Sequence, residues 1–141
     1  MDTEKISTGS THVEIMDSTL RDGEQTNGVS FLPHEKLMIA RLLLRDVNVD
    51  RIEVASARVS EGEKSAVKRI CKFAEKDGSL DRIEVLGFVD HHKSIDWINE
   101  CSGKVINLLA KGSERHCVQQ LHRTPQQHID DILEELDYAD K

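Results

Sequence analysis

Asp17, Arg21, Asp22, Glu24 and Gln25 are crowded into one short run, Asp17-Ser-Thr-Leu-Arg-Asp-Gly-Glu-Gln25, directly after the apolar-rich segment Val13 to Met16. An Arg beside an Asp can serve opposite needs in one pocket. The carboxylate offers a hard oxygen to a divalent cation, and the guanidinium donates hydrogen bonds to a developing oxyanion. Gly23 lets the backbone approach a ligand closely. A bare Arg-Asp-Gly also suits a surface turn with an ion pair, so the tripeptide alone does not choose. Other polar groups fall at or near the ends of apolar runs: Glu53 in Arg51-Ile-Glu-Val-Ala-Ser56, the histidine pair of Gly87-Phe-Val-Asp-His-His92, Asn107, and Lys111-Gly-Ser-Glu-Arg-His116. Adjacent histidines point in different directions, and none of the seven in the chain forms a His-x-His pair.

These groups must be positioned by strands and helices, and the apolar spacing supplies both. Val13 to Met16 reads as a strand that delivers the Asp17 to Gly28 loop. Pro33 can open a helix, although Leu32 is a poor cap, and Leu37, Ala40, Leu44 and Val47, with Ile39 and Leu43, recur at helical spacing. Arg51 to Ala55 alternates, with Ile52 and Val54 on one face and Arg51, Glu53 and Ala55 on the other. Ser60 and Glu63 fit a capping box for a second helix with Ala66, Val67, Ile70, Phe73 and Ala74 inward, stopped at Gly78. Ile83 to Phe88 is a third strand, Ser94 to Cys101 a short helix, and Val105 to Ala110 a fourth strand. A helical segment from Ser113 to Leu121 leads to the Thr124-Pro-Gln-Gln127 start of a last helix, whose expected buried face is Ile129, Leu133 and Leu136.

Four strand–helix units in 141 residues predict an α/β chain with a parallel sheet, because parallel pairing needs long crossovers. Units of about 35 residues match half of a closed eight-stranded barrel of roughly 250 residues. A doubly wound domain is the rival, but it would want a fifth strand that the sequence does not offer. Residues 1 to 12 read as a flexible leader and 13 to 141 as the first half of a barrel. A net charge of −7 without a Lys/Arg run argues against nucleic acid. No apolar stretch approaches the roughly 20 residues of a membrane span, and the polar start lacks a secretory pattern, so a cytoplasmic protein is expected. Cys71, Cys101 and Cys117 are too widely spaced for a Cys-x-x-Cys pair and read as reduced packing residues.

The Asp17 to Gln25 run resembles the signature of a metal-dependent barrel family that contains 2-isopropylmalate, homocitrate and citramalate synthases and hydroxymethylglutaryl-CoA lyase. The resemblance extends over essentially residues 12 to 141. It implies the first four βα units of a TIM (β/α)8 barrel, with Arg21 and Glu53 as a catalytic pair and Asp22 as a ligand to a divalent metal (Mg, Mn or Zn). Gln25 resembles the motif's substrate-side glutamine, His91 lies where some synthases place a substrate-contacting histidine, and Asn107 and Leu109 match positions lining the 2-oxo-acid pocket. The Lys111 to His116 run resembles the following loop, and no role is assigned to it. Glu24 favours the synthases, since the lyases carry a hydrophobic residue there. The implied reaction is a Claisen condensation of acetyl-CoA with a 2-oxo acid, as in amino-acid (leucine) biosynthesis. The family completes its metal site with a His-x-His on a later strand and takes a further Glu from strand five, neither of which is found in this chain. The chain alone is therefore expected to be inactive, part of a longer enzyme, and prone to pair with a second copy through its open edges.

Overall fold

In the computed structural model, which describes residues 12–141, strand β1 is Met16–Asp17, β2 Arg51–Ser56, β3 Ile83–Phe88 and β4 Val105–Leu109. The expected leader lies outside the described residues apart from His12. All four strands are parallel and pair in the order β1-β2-β3-β4. That order removes the doubly wound alternative, in which the strand order reverses, and matches a barrel, in which each strand is added beside its predecessor.

The connecting helices are α1 (Pro33–Leu42, continued by a wider π turn over Leu43–Val47), α2 (Glu61–Asp77), α3 (Lys93–Glu100), α4 (Glu114–His116, widening over Cys117–Leu121) and α5 (Pro125–Ala139). Local chemistry sets their ends. Ser60 Oγ accepts from Glu63 N at 3.1 Å, and Gly78 closes α2 in the left-handed region at φ 74°. The expected return arm of that capping box is missing, because the Glu63 carboxylate is drawn to Lys36 Nζ at 2.7 Å. Thr124 and Gln127 form the full box on α5, with Pro125 in its first turn. At α1, Leu32 has no acceptor side chain, and Glu35 Oε2 instead accepts from Leu32 N at 2.7 Å.

Ile52, Ile83 and Val85 on the helix-facing side of the sheet pack with Ala40, Leu44, Val67, Ile70, Ala74, Trp97 and Ile98. Cys71, Cys101 and Cys117 are free and buried, as expected of packing residues, and burial pushes the Cys71 thiol up to about 12.

Three expected faces are corrected. On α1 the expected Leu37, Ile39, Ala40, Leu43 and Leu44 do pack on the core, but the buried Lys36 joins them, and Val47 is 64% exposed, since the π turn rotates it off the stripe. On α5 the inward residues are His128 and Glu135, and Ile129, Leu133 and Leu136 face outward. The amides of Asp90, His92 and Lys111 need acceptors where α5 crosses the strand ends, and Glu135 and His128 supply them. In β2 the pairing register shifts between Glu53 and Ala55, which places Ala55 opposite Val85 in the core and gives the other face to Ser56. Strand β1 is also shorter than expected, beginning at Met16, with Val13 and Ile15 exposed. Among the described residues, no helix is long and apolar enough to cross a membrane.

Candidate active site

The chain leaves β1 through a tight local turn. Asp17 accepts from Thr19 N at 2.9 Å and Thr19 Oγ1 at 3.0 Å, and the amides of Arg21, Asp22 and Gly23 all converge on the Ser18 carbonyl. A short 3₁₀ turn over Gly23–Gln25 follows. This fold-back lays the Arg21 side chain over the middle of β2. Its Nε donates to Glu53 Oε2 at 2.6 Å, and its Nη1 donates to Asp22 Oδ1 at 2.8 Å.

Glu53 has no exposed side-chain surface, and its second oxygen accepts from Asn107 Nδ2 at 2.8 Å. The pairings Glu53 with Glu84, Glu84 with Val105, and Leu86 with Asn107 place these residues on one face of the sheet, opposite the helix-covered core. Two strands and a loop thus converge on one buried carboxylate. An anion desolvated to this degree needs its oxygens occupied by donors, and a guanidinium and an amide occupy them here. Asp22, by contrast, is 61% exposed. Its second oxygen makes no hydrogen bond among the described residues and faces solvent.

A model of the protein family described as HMGL-like matches residues 12–141. The chain belongs to the HMGL-like family. Its β1-to-β4 sheet is accordingly the first part of that family's TIM barrel. The chain is 38% identical over 127 residues to the (R)-citramalate synthase CimA of Methanocaldococcus jannaschii, covering 90% of this chain and 25% of that protein. It is 37% identical over 128 residues to the 2-isopropylmalate synthase of Saccharolobus solfataricus (90% and 32%) and 35% identical over 127 residues to the homocitrate synthase AksA of Methanopyrus kandleri (90% and 30%). The HMGL-like chain thus spans about a quarter to a third of the length of these curated relatives.

Within this HMGL-like half-barrel the anticipated site residues divide into two places. Arg21, Asp22, Glu53 and Asn107 come together as described, and Gln25 lines a cavity of about 330 Å³ beside Arg21, Ser56 and Ser60. Asn107, anticipated as a substrate contact, spends an amide N–H on Glu53. His91 stands apart, lining a separate cavity of about 370 Å³ with Phe88, Leu109, Lys111, Arg123 and His128. Its neighbour His92 turns away to Glu135 and stacks on Tyr138 at 3.9 Å, both histidines having left-handed backbone (φ 57° and 67°). Two buried residues of charged type were not expected: Lys36, bonded to the Arg21 loop, and Glu135, bonded to the loop that carries His91. For Lys36 the available signal was its spacing from Ala40 and Leu44, at successive steps of one helical face.

For a divalent cation the donor set is thin. Asp22 is one exposed carboxylate, and among the described residues no three His, Cys, Asp or Glu side chains converge. These residues do not by themselves fit the several converging oxygen or nitrogen ligands such an ion takes.

Proposed function

We propose that this chain carries the guanidinium part of the active site of a synthase that condenses acetyl-CoA with a 2-oxo acid, with pyruvate or 2-oxoisovalerate the preferred acids. The observation that supports it most is the Arg21–Glu53 pair, 2.6 Å apart, made between the loop that leaves β1 and the middle of β2, with Asn107 on the other Glu53 oxygen. A guanidinium carries five N–H groups, and Nε and one Nη1 hydrogen are committed to Glu53 and Asp22. The rest make no hydrogen bond among the described residues and can meet a substrate. Held rigidly by a buried carboxylate, Arg21 can donate to the keto oxygen and stabilise the alkoxide that forms as the carbonyl carbon is attacked.

In the reaction a base removes a proton from the acetyl methyl group, the resulting carbanion forms a carbon–carbon bond to the keto carbon, and the alkoxide takes up a proton. Water then cleaves the thioester to release the thiol of CoA. Glu53 fixes the direction of Arg21, Gln25 and Asn107 border the acid, and His91 contacts substrate from the separate cavity it lines. Asp22 would offer one carboxylate oxygen to a Mg, Mn or Zn ion, which would polarise the carbonyl of the acid.

The test is thiol release from acetyl-CoA with a divalent metal and pyruvate, 2-oxoisovalerate or 2-oxoglutarate, using the full gene product that contains this chain. Turnover with one of the acids supports the reading. Absence of turnover with all three overturns it and favours a non-catalytic half-barrel, and cleavage of a 3-hydroxyacyl-CoA in its place identifies a lyase.

A further inference from the structure

Lys36 sits on α1 with 1% of its side chain exposed, on the stripe it shares with Ala40 and Leu44. Its Nζ lies 3.1 Å from the Leu20 carbonyl, 2.5 Å from Glu24 Oε2, and 2.7 and 2.8 Å from the two Glu63 oxygens. The other Glu24 oxygen accepts from Phe31 N at 2.8 Å, closing the far end of the same loop. Leu20 immediately precedes Arg21, and Glu24 follows Asp22 and Gly23, so one ammonium holds the loop on both sides of the Arg-Asp pair. Glu63 belongs to α2, the helix that follows Glu53's own strand. The cation therefore ties the Arg21 loop to the unit that carries its partner.

Stability alone does not call for such an arrangement. A buried ion cluster is often no more stabilising than apolar side chains of similar volume, and Met or Leu would continue the Lys36–Ala40–Leu44 stripe. What a charge with three fixed acceptors adds is a defined geometry. We propose that Lys36, clamped between Glu24 and Glu63, is the positioning residue that sets Arg21 on Glu53; its importance for catalysis rests on the condensing function proposed above, but its geometric effect does not.

The test reads the Arg21 Nε–H directly by nitrogen-15 NMR of this chain, the resonance being assigned by its loss in Arg21→Lys. In Lys36→Met, solvent exchange of the Arg21 Nε–H should accelerate about tenfold as the loop opens locally, while the amides of Ile52 and Val85 keep their protection. Unchanged Arg21 exchange overturns the proposal. So does an equal acceleration at Arg21, Ile52 and Val85, which marks a purely structural role. If Lys36→Met does not fold, Glu24→Gln removes one arm and leaves the Glu63 pair. It should accelerate Arg21 exchange in the same selective way by a smaller factor, and no change there overturns the proposal. The measurement needs no substrate. Failure of the thiol-release assay therefore sinks the functional reading and leaves this one standing, whereas unchanged Arg21 exchange sinks this one alone.

Discussion

Glu53 and Asp22 hold the same guanidinium from opposite extremes of exposure, 0% and 61% of their side chains. Exposure therefore separates their contributions to folding from their contributions to chemistry. Glu53→Gln keeps the shape but removes the charge that balances a largely buried Arg21, so urea unfolding of this chain should show a loss of about 1 to 3 kcal/mol. Asp22→Asn breaks a solvated pair and should stay within about 0.5 kcal/mol of the parent in the same experiment. In the full gene product both substitutions should lower turnover about 100-fold or more, by misdirecting the donors aimed at the oxyanion or by removing a ligand. A large stability loss in Asp22→Asn, or full turnover in Glu53→Gln, contradicts these assignments. Glu53 is legible in the amino-acid order because strand alternation turns it away from Ile52 and Val54. The bond to its second partner, Asn107, is not, because the sequence does not say how far two strands separated by a third are offset.

At the scale of elements, the β3-to-α3 loop is held by carboxylates from two directions. Asp90 accepts from Ser94 N at 2.9 Å and Ser94 Oγ at 2.8 Å and pairs with Arg58 at 2.7 Å, and Glu135 accepts from Asp90 N and His92 N. Burial alone would raise the Asp90 carboxyl, but the Ser94 bonds and the Arg58 charge outweigh it and hold the group below its ordinary value. A carboxyl depressed on folding stabilises fully above its unfolded value of about 3.9 and loses that contribution as the pH falls through its folded value. Asp90→Asn should therefore be less stable than the parent by about 1 kcal/mol at pH 7, with the gap shrinking below pH 4 in urea titrations. A gap that is constant with pH would contradict the assignment. One strand position allows no side chain at all. A Cβ on Gly87 would lie 2.4 Å from Ile106 Cδ1 and 3.2 Å from Ser94 Cβ, between β3 and the elements beside it. Gly87→Ala should cost about 1 to 3 kcal/mol by thermal or urea unfolding. Adding Ile106→Val, which deletes the nearest atom, should recover part of that loss.

At the scale of the whole molecule, β1 pairs only with β2 and β4 only with β3 among the described residues, leaving an open edge on each side. Val13, Ile15 and Met16 near one edge and Leu109 on the other are exposed apolar side chains, as are Ile129, Leu133 and Leu136 on α5. Open parallel edges and uncovered apolar faces seek partners. We propose that the isolated chain associates with a second copy, and sedimentation velocity should show a mass that rises with concentration. A monomer across the accessible range contradicts this. The same chain should show no thiol release by itself with any of the three 2-oxo acids, because one exposed carboxylate does not assemble a divalent-ion site. Robust turnover by the isolated 141 residues would overturn that expectation.

Alternation and capping are local, so the amino-acid order suffices for the α/β class, all of β3 and the starts of α2 and α5. Each depends on side chains a few residues apart. The direction of α1 and α5 was settled elsewhere. Lys36 turns inward because Glu24, Glu63 and the Leu20 carbonyl meet it, and His128 and Glu135 turn inward because loop amides from β3 and β4 need acceptors. Those partners are remote along the chain, and burying a charge or a ring nitrogen is favourable only once they are in place. The β2 register shift that moves Ala55 into the core is likewise fixed by pairing with β3. Only the tertiary structure could decide these features, because each is a bond between elements and not a property of either element alone.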